Sequence, residues 1–163
     1  MFSYCQSLEE ISLGNIITNK VINMSHLFDG CSNLNSIDLS NFNTENVLDM
    51  SCMFQDCIHL KEIHISDFDT KKVQNMSRMF ESCIAVTSLD VSKFKTSEVK
   101  DMTKMFEFCN ELTSLDVSNF DTSKVLYMLD MFAELKKLVS LDVSKFKTNN
   151  LKDMAGMFYD CNK

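Results

Sequence analysis

Hydrophobic and polar positions recur along this chain in one fixed order. Leu34, Ile37 and Leu39 form an L-x-x-L-x-L string whose last two apolar positions alternate with Ser36, Asp38 and Ser40, the period-two mark of a half-buried strand. The pattern returns as Leu60/Ile63/Ile65, Val86/Leu89/Val91, Leu112/Leu115/Val117 and Leu138/Leu141/Val143, so the copies are expected to pair into a parallel sheet. After a Ser-Asn turn comes Phe42, one of a column made by Ile16, Phe42, Phe68, Phe94, Phe120 and Phe146. Val47, Met50, Phe54 and Cys57 then step by three, four and three residues, with Met53 beside them, which is the spacing of a helical face. This predicts a short helix with Ser51 as its N-cap, although Leu129 and Ala155 stand at that place in later copies. Thr44 to Met50 fits either a turn or a first helical turn.

Phe2, Phe28, Phe54, Phe80, Phe106, Phe132 and Phe158 lie 26 residues apart without slippage. They divide the chain into turns 1–26, 27–52, 53–78, 79–104, 105–130 and 131–156, with a partial turn 157–163. A period of this size belongs to a single-domain solenoid whose turns bury their apolar sides only against one another. About nine inward apolar positions per turn, each worth roughly 1.5–3 kcal/mol when buried, support a stack and not a lone unit. Thr18, Thr44, Thr70, Thr96, Thr122 and Thr148 form another column, where a short hydroxyl can bond a nearby backbone N–H or its equivalent in the next turn. The expected fold is therefore an α/β solenoid of six turns, with a parallel sheet on one side and short helices on the other.

Composition changes this picture in few places. The chain has no Pro, no Trp and three Gly, against 12 Met and 13 Phe, so Asn, Asp, Ser and Thr must make its turns. A net charge of −7 with no Lys/Arg cluster argues against nucleic acid or an anionic membrane surface as partner. No run of apolar residues is long enough to insert in a membrane, and the first residues do not read as a signal peptide. Cys5, Cys31, Cys57, Cys83, Cys109 and Cys161 share a column in which Leu135 also stands, while Cys52 lies outside it. A column that accepts leucine is expected to hold buried free thiols, ahead of disulfides or zinc, and no C-x-x-C spacing is present. No metal or cofactor is expected.

The solvent-facing strand positions are the candidate partner surface. Asp38, His64, Asp90, Asp116 and Asp142 form a ladder flanked by Ser40, Ser66, Ser92, Ser118 and Ser144. Stacked at a sheet spacing of about 5 Å, three successive aspartates should repel, raise some of their pKa values and attract a cation or basic partner. His64 among acids should protonate more readily. The plainer alternative is that these Asp and Ser side chains bond strand-edge and turn N–H groups. A second column alternates in sign, Asp69, Lys95, Asp121, Lys147, with Asp67 and Lys93 beside it, and is expected to fix register between turns. The stretch Ser88 to Thr96 recurs unchanged at Ser140 to Thr148, which suggests duplication of a two-turn block. Asn23-Met-Ser25 and Asn75-Met-Ser77 match the glycosylation sequon but belong to the repeat. No Gly-rich phosphate loop, paired His motif or Ser, His and acid arrangement stands apart from the repeat, so an enzyme is not expected.

The string from Leu34 to Thr44, followed by Val47, Met50-Ser51, Met53-Phe54 and Cys57, resembles the BspA-type leucine-rich repeat, a 26-residue repeat of bacterial surface proteins. Later turns carry it too, as in Ser114 to Thr122 followed by Val125, Met128 and Met131-Phe132. The resemblance implies a right-handed coil with its strands on the concave side. It also implies a non-enzymatic cell-surface or secreted adhesion module that binds protein or glycan. A spacer array without ligand and a cytoplasmic scaffold are the alternatives. The array begins inside a Met-Phe segment and stops at Lys163 with no polar capping repeat, as expected of a piece of a longer array, or of ends that associate head to tail.

Overall fold

A computed structural model describes residues 1–161. Successive 26-residue turns stack on one another, and the stacking is carried by side-chain ladders and cross-turn backbone bonds more than by regular secondary structure. Two strands form, β1 (Ser36–Asp38) and β2 (Glu62–His64). They pair in parallel with Ser36 opposite Glu62, Ile37 opposite Ile63 and Asp38 opposite His64. Isolated parallel bridges continue the stacking elsewhere, linking Asn23, Asp49, Asn75, Asp101, Tyr127 and Asp153 in series. The remaining described backbone is turn and irregular structure.

The expected helices are absent from the described residues, so the chain is not an α/β coil with helices on one side. The cause lies in two columns of left-handed residues. His26, Cys52, Arg78, Lys104, Asp130 and Gly156 have φ of 52–61°, and Tyr4, Gly30, Asp56, Ser82, Phe108, Glu134 and Asp160 have φ of 52–69°. A helix cannot run through a left-handed residue every fourth position. The N–H groups point across the stack instead: Met50 donates to the Asn75 carbonyl, Cys52 to Ser77, Phe54 to Met79 and Asp56 to Glu81, all at 2.9–3.0 Å. The helix-like spacing of Phe54, Cys57 and Leu60 comes from tight turns, in which Cys57 N–H bonds Phe54 and Leu60 N–H bonds Cys57 at 3.2 and 3.1 Å. Ser51 caps no helix; its N–H and hydroxyl both donate to Asp49 Oδ1, at 2.9 and 2.6 Å. Thr44 to Met50 is turn, closed by the Val47 N–H on the Thr44 carbonyl at 3.0 Å.

The expected sheet across all turns is also cut down to β1 and β2. Two residue choices favour pairing there. Ile37 faces Ile63 across the pair, and β-branched side chains fit the pleat better than the leucines at 89, 115 and 141. Asp38 faces His64, which adds a minor part to a lowering of its pKa led by the Ser40 N–H, whereas Asp90, Asp116 and Asp142 would bring like charges opposite one another.

The core is a set of parallel ladders. The Phe2 to Phe158 rings stack with neighbouring centroids 5.5–5.9 Å apart and planes within 9° along the column. Each of Cys31, Cys57, Cys83 and Cys109 donates its thiol to a phenylalanine carbonyl one turn back, at 3.0–3.2 Å. The threonine column works in both directions: Thr70 Oγ1 donates to the Lys95 carbonyl at 3.0 Å and accepts from the Lys95 N–H at 2.7 Å. Thr18, Thr44 and Thr122 repeat this double contact with Asn43, Asp69 and Lys147. Each of these four threonines thereby satisfies two backbone groups that a loop-built fold would otherwise leave open, and Thr96 Oγ1 donates to the Asp121 carbonyl at 3.0 Å.

Candidate functional site

Asp38, His64, Asp90, Asp116 and Asp142 are all exposed, and of the five only Asp38 and His64 lie in strands. Each aspartate closes a local turn by accepting the N–H of the serine two residues on: Ser40 to Asp38 at 2.9 Å, Ser92 to Asp90 at 3.1 Å, Ser118 to Asp116 and Ser144 to Asp142 at 2.9 Å. The Ser92 hydroxyl adds a bond of 2.6 Å to the same oxygen of Asp90. These bonds overturn the expectation of raised pKa values. The serine hydroxyl, then the serine N–H, hold Asp90, Asp116 and Asp142 below the ordinary carboxylate range, and the Ser40 N–H leads the same effect at Asp38. Repulsion between Asp90 and Asp116 is present but is the smaller influence at Asp90. The ladder is a row of ionised carboxylates, each fixed through one oxygen.

The alternating charge column is only partly realised. Lys147 reaches Asp121 at 3.6 Å and Lys93 reaches Asp67 at 3.4 Å, but Asp69 pairs with Lys71 in its own turn at 2.7 Å. Cross-turn pairs that the sequence reading passed over include Glu98–Lys124 at 2.7 Å and Glu111–Lys137 at 2.5 Å. All are exposed and screened by solvent. The asparagines of both sequon matches act as turn acceptors, Asn23 for Ser25 N–H at 2.8 Å and Asn75 for Ser77 N–H at 3.0 Å.

A second polar feature runs beside the phenylalanine stack. Asp29, Glu81 and Glu107 follow their ladder phenylalanines and are only 3%, 8% and 6% exposed. Each meets a partner three residues back that itself occupies the left-handed position: His26 Nδ1 on Asp29 Oδ2 at 2.9 Å, Arg78 Nη1 on Glu81 Oε2 at 2.9 Å, and Lys104 Nζ on Glu107 Oε2 at 2.9 Å. The Lys104 ammonium lies off the direction of a hydrogen bond to Glu107, and it also faces Asp130 at 3.6 Å. Burial pushes the Glu81 carboxyl up against the pull of Arg78, and the neighbouring Glu107 carboxylate adds to the rise. Asp29 Oδ1 has no hydrogen-bond partner.

All seven cysteines are free. Cys52 stands one turn on from His26 and feels the charge of Asp29. Burial, with Asp29 adding to it, pushes that thiol up to about 11, so it stays protonated and unreactive. Among the described residues no three His, Cys, Asp or Glu side chains converge as a metal-binding group. An open apolar hollow of about 250 Å³ at the first turn, bordered by Phe2, Ile16, Val21, Met24, Leu27 and Phe42, has no titratable side chain in its lining.

A family profile described as "Mycoplasma protein of unknown function, DUF285" matches residues 1–88 and again residues 84–163. The chain belongs to the DUF285 family. No curated protein and no solved structure matches it. The two tandem matches cover the DUF285 chain from end to end and agree with its repeat nature. No helix among the described residues of this DUF285 chain is long and apolar enough to cross a membrane.

Sequence reasoning found the aspartate ladder of the DUF285 chain but missed the Asp29, Glu81 and Glu107 lane. A signal was available: the column directly after the ladder phenylalanines reads Ser3, Asp29, Gln55, Glu81, Glu107, Ala133 and Tyr159, so three turns put an acid next to a fully buried ring.

Proposed function

We propose that this DUF285 chain is a non-enzymatic interaction module that takes a protein or glycan partner on its strand-bearing side. The observation that carries this reading is the fixed aspartate row. Asp38, Asp90, Asp116 and Asp142 each commit one oxygen to a serine N–H, which orients the carboxylate and leaves it ionised and exposed. A preoriented polar row costs little side-chain freedom on binding and selects partners bearing cationic or donor groups. The likeness to BspA-type repeats of bacterial surface proteins supports display at a cell surface, or secretion, with adhesion as the role.

The uniform ring spacing of 5.5–5.9 Å favours a second reading, a stiff spacer with no ligand of its own. One experiment separates the two. The wild-type chain and the triple variant Asp90→Ala, Asp116→Ala, Asp142→Ala are applied to arrays of host and matrix proteins. The binding reading expects retention of the wild type and its loss in the variant. Equal retention removes the aspartate row as the binding surface, and no retention of the wild type supports the spacer.

A further inference from the structure

The buried acids beside the phenylalanine stack are not matched by an equal number of cations. Arg78 lies 2.9 Å from Glu81 and Lys104 lies 2.9 Å from Glu107, and Lys104 is shared with Asp130 at 3.6 Å. Two cations thus face three carboxylates, and the fully ionised group carries one negative charge in excess. That excess lies out of water, since Glu81 and Glu107 are both buried and stand in adjacent turns of one column. Glu107 Oε2 has no hydrogen-bond partner. An uncompensated charge in such a place is costly, and uptake of a proton relieves it.

The neighbours along the two columns do not offset the excess. Before the group stand Cys52, whose thiol stays protonated, and uncharged Gln55; after it stand Ala133 and Gly156. The glycine makes room for the third acid, because a side chain at 156 would run into Asp130 Oδ1. Burial raises the Glu81 carboxyl above its ordinary range; Arg78 opposes the rise and Glu107 adds to it. Against the cost of burial, Glu107, Glu81 and Asp130 keep Lys104 a cation. The backbone bonds that hold turn four to turn five flank Glu81. Phe80 N–H donates to the Met105 carbonyl at 3.0 Å, and Ser82 N–H to the Glu107 carbonyl at 2.8 Å.

We propose that Arg78, Glu81, Lys104, Glu107 and Asp130 act as one proton-operated lock on the seam between turns four and five. In acid, Glu81 takes a proton from water and its O–H donates to the Glu107 carboxylate, which leaves two cations against two anions. At higher pH the proton returns to water, and the two carboxylates repel across the seam and weaken the Phe80 and Ser82 bonds. Because the carboxyl is raised in the folded chain, its contribution to stability is complete below the unfolded value of 4.5 and is lost as pH rises through the folded value. The array is tightest at this seam in acid and loosens there first toward neutrality. The lock does not depend on the aspartate row or on a partner bound there.

Amide hydrogen exchange of the whole chain, expressed as protection factors from pH 4 to pH 7, tests the lock together with carbon-13 shifts of the glutamate carboxyls. Expected is a loss of protection at the Phe80 and Ser82 amides as pH rises, with the Glu81 and Glu107 carboxyl shifts moving in the same step. The Lys95 and Lys147 amides, bonded to the threonine column, should keep their protection. Glu81→Gln should hold the Phe80 and Ser82 protection level across the range. Asp130→Asn keeps the side-chain shape and removes the excess charge, so the loss should move to lower pH, whereas a carboxyl raised by burial alone would titrate unchanged. Constant protection in the wild type, an equal loss at Lys95 and Lys147, or an Asp130→Asn profile that coincides with the wild type overturns the proposal. Thermal melts verify that each variant folds, and Asp130→Asn provides the decisive readout if Glu81→Gln does not fold.

Discussion

Replacing Thr70 with valine removes one hydroxyl at nearly constant volume and breaks two bonds at once. Thr70 is fully buried, and its Oγ1 both donates to the Lys95 carbonyl at 3.0 Å and accepts from the Lys95 N–H at 2.7 Å. Valine leaves a backbone donor and a backbone acceptor of the next turn without partners. A buried polar group left unpaired costs about 1–3 kcal/mol, and Lys95 is partly open to water, so the sum falls near the low end, about 3 kcal/mol for the pair. A chain of this length loses roughly 2–4 °C of melting temperature per kcal/mol, which predicts a drop of about 6–12 °C. Thr148→Val is the internal control, because Thr148 is exposed and its hydroxyl makes no such bond among the described residues. Chemical denaturation gives the stability loss, and amide hydrogen exchange locates it: the Lys95 N–H should lose protection while amides two turns away keep theirs. A loss in Thr70→Val below about 0.5 kcal/mol, the range of ordinary surface changes, or equal to that of Thr148→Val, would refute the account of the ladder.

Two further outcomes follow from charge. Glu81 holds its proton above the ordinary carboxyl value of 4.5 in the folded chain, because burial and Glu107 outweigh Arg78, with Lys104 and Asp130 completing the group. The unfolded chain releases that proton near 4.5, so this contribution to stability is fully present below 4.5 and is lost as pH rises through the folded value. Glu81→Gln should therefore flatten the fall in stability on the alkaline side of 4.5, as measured by denaturation at steps from pH 4 to pH 8; an unchanged profile would mean that another group governs it. Asp116→Lys removes the carboxylate that accepts the Ser118 N–H at 2.9 Å and should lower the denaturation midpoint; a higher midpoint would show that relief of like-charge repulsion along the row outweighs the lost turn bond.

The ladders were legible in the sequence because stacking makes burial one-dimensional. A side chain that touches its own equivalent 26 residues away must keep its kind, so Phe54, Cys57 and Thr70 announce themselves by recurrence. The helix was misread because the chain hides its left-handed positions. Most of them hold Cys52, Asp56, Arg78 or similar residues where glycine would have given warning. Spacing of three and four then looks helical, although its origin is a tight turn repeated between cross-turn bonds. The exposure of the aspartates was legible while their electrostatics were not, because the sequence shows charges at sheet spacing but not how closely the Ser92 and Ser118 groups bond them. Glu81 and Glu107 were passed over since an acid is ordinarily a surface residue, and only the coordinates reveal Arg78 and Lys104 closing over them.

The matching of each phenylalanine ring to another one turn away also limits how this chain can change in length. Gain or loss of a whole turn leaves every later ring, hydroxyl and thiol facing its own kind, and the unchanged return of Ser88 to Thr96 at Ser140 to Thr148 shows such a unit in duplicate. Insertion of a single residue within a turn shifts every downstream column out of line with those before it. Evolution by recombination between turns is thus open to this fold, while drift by small insertions is confined to loops that can bulge without moving the next phenylalanine.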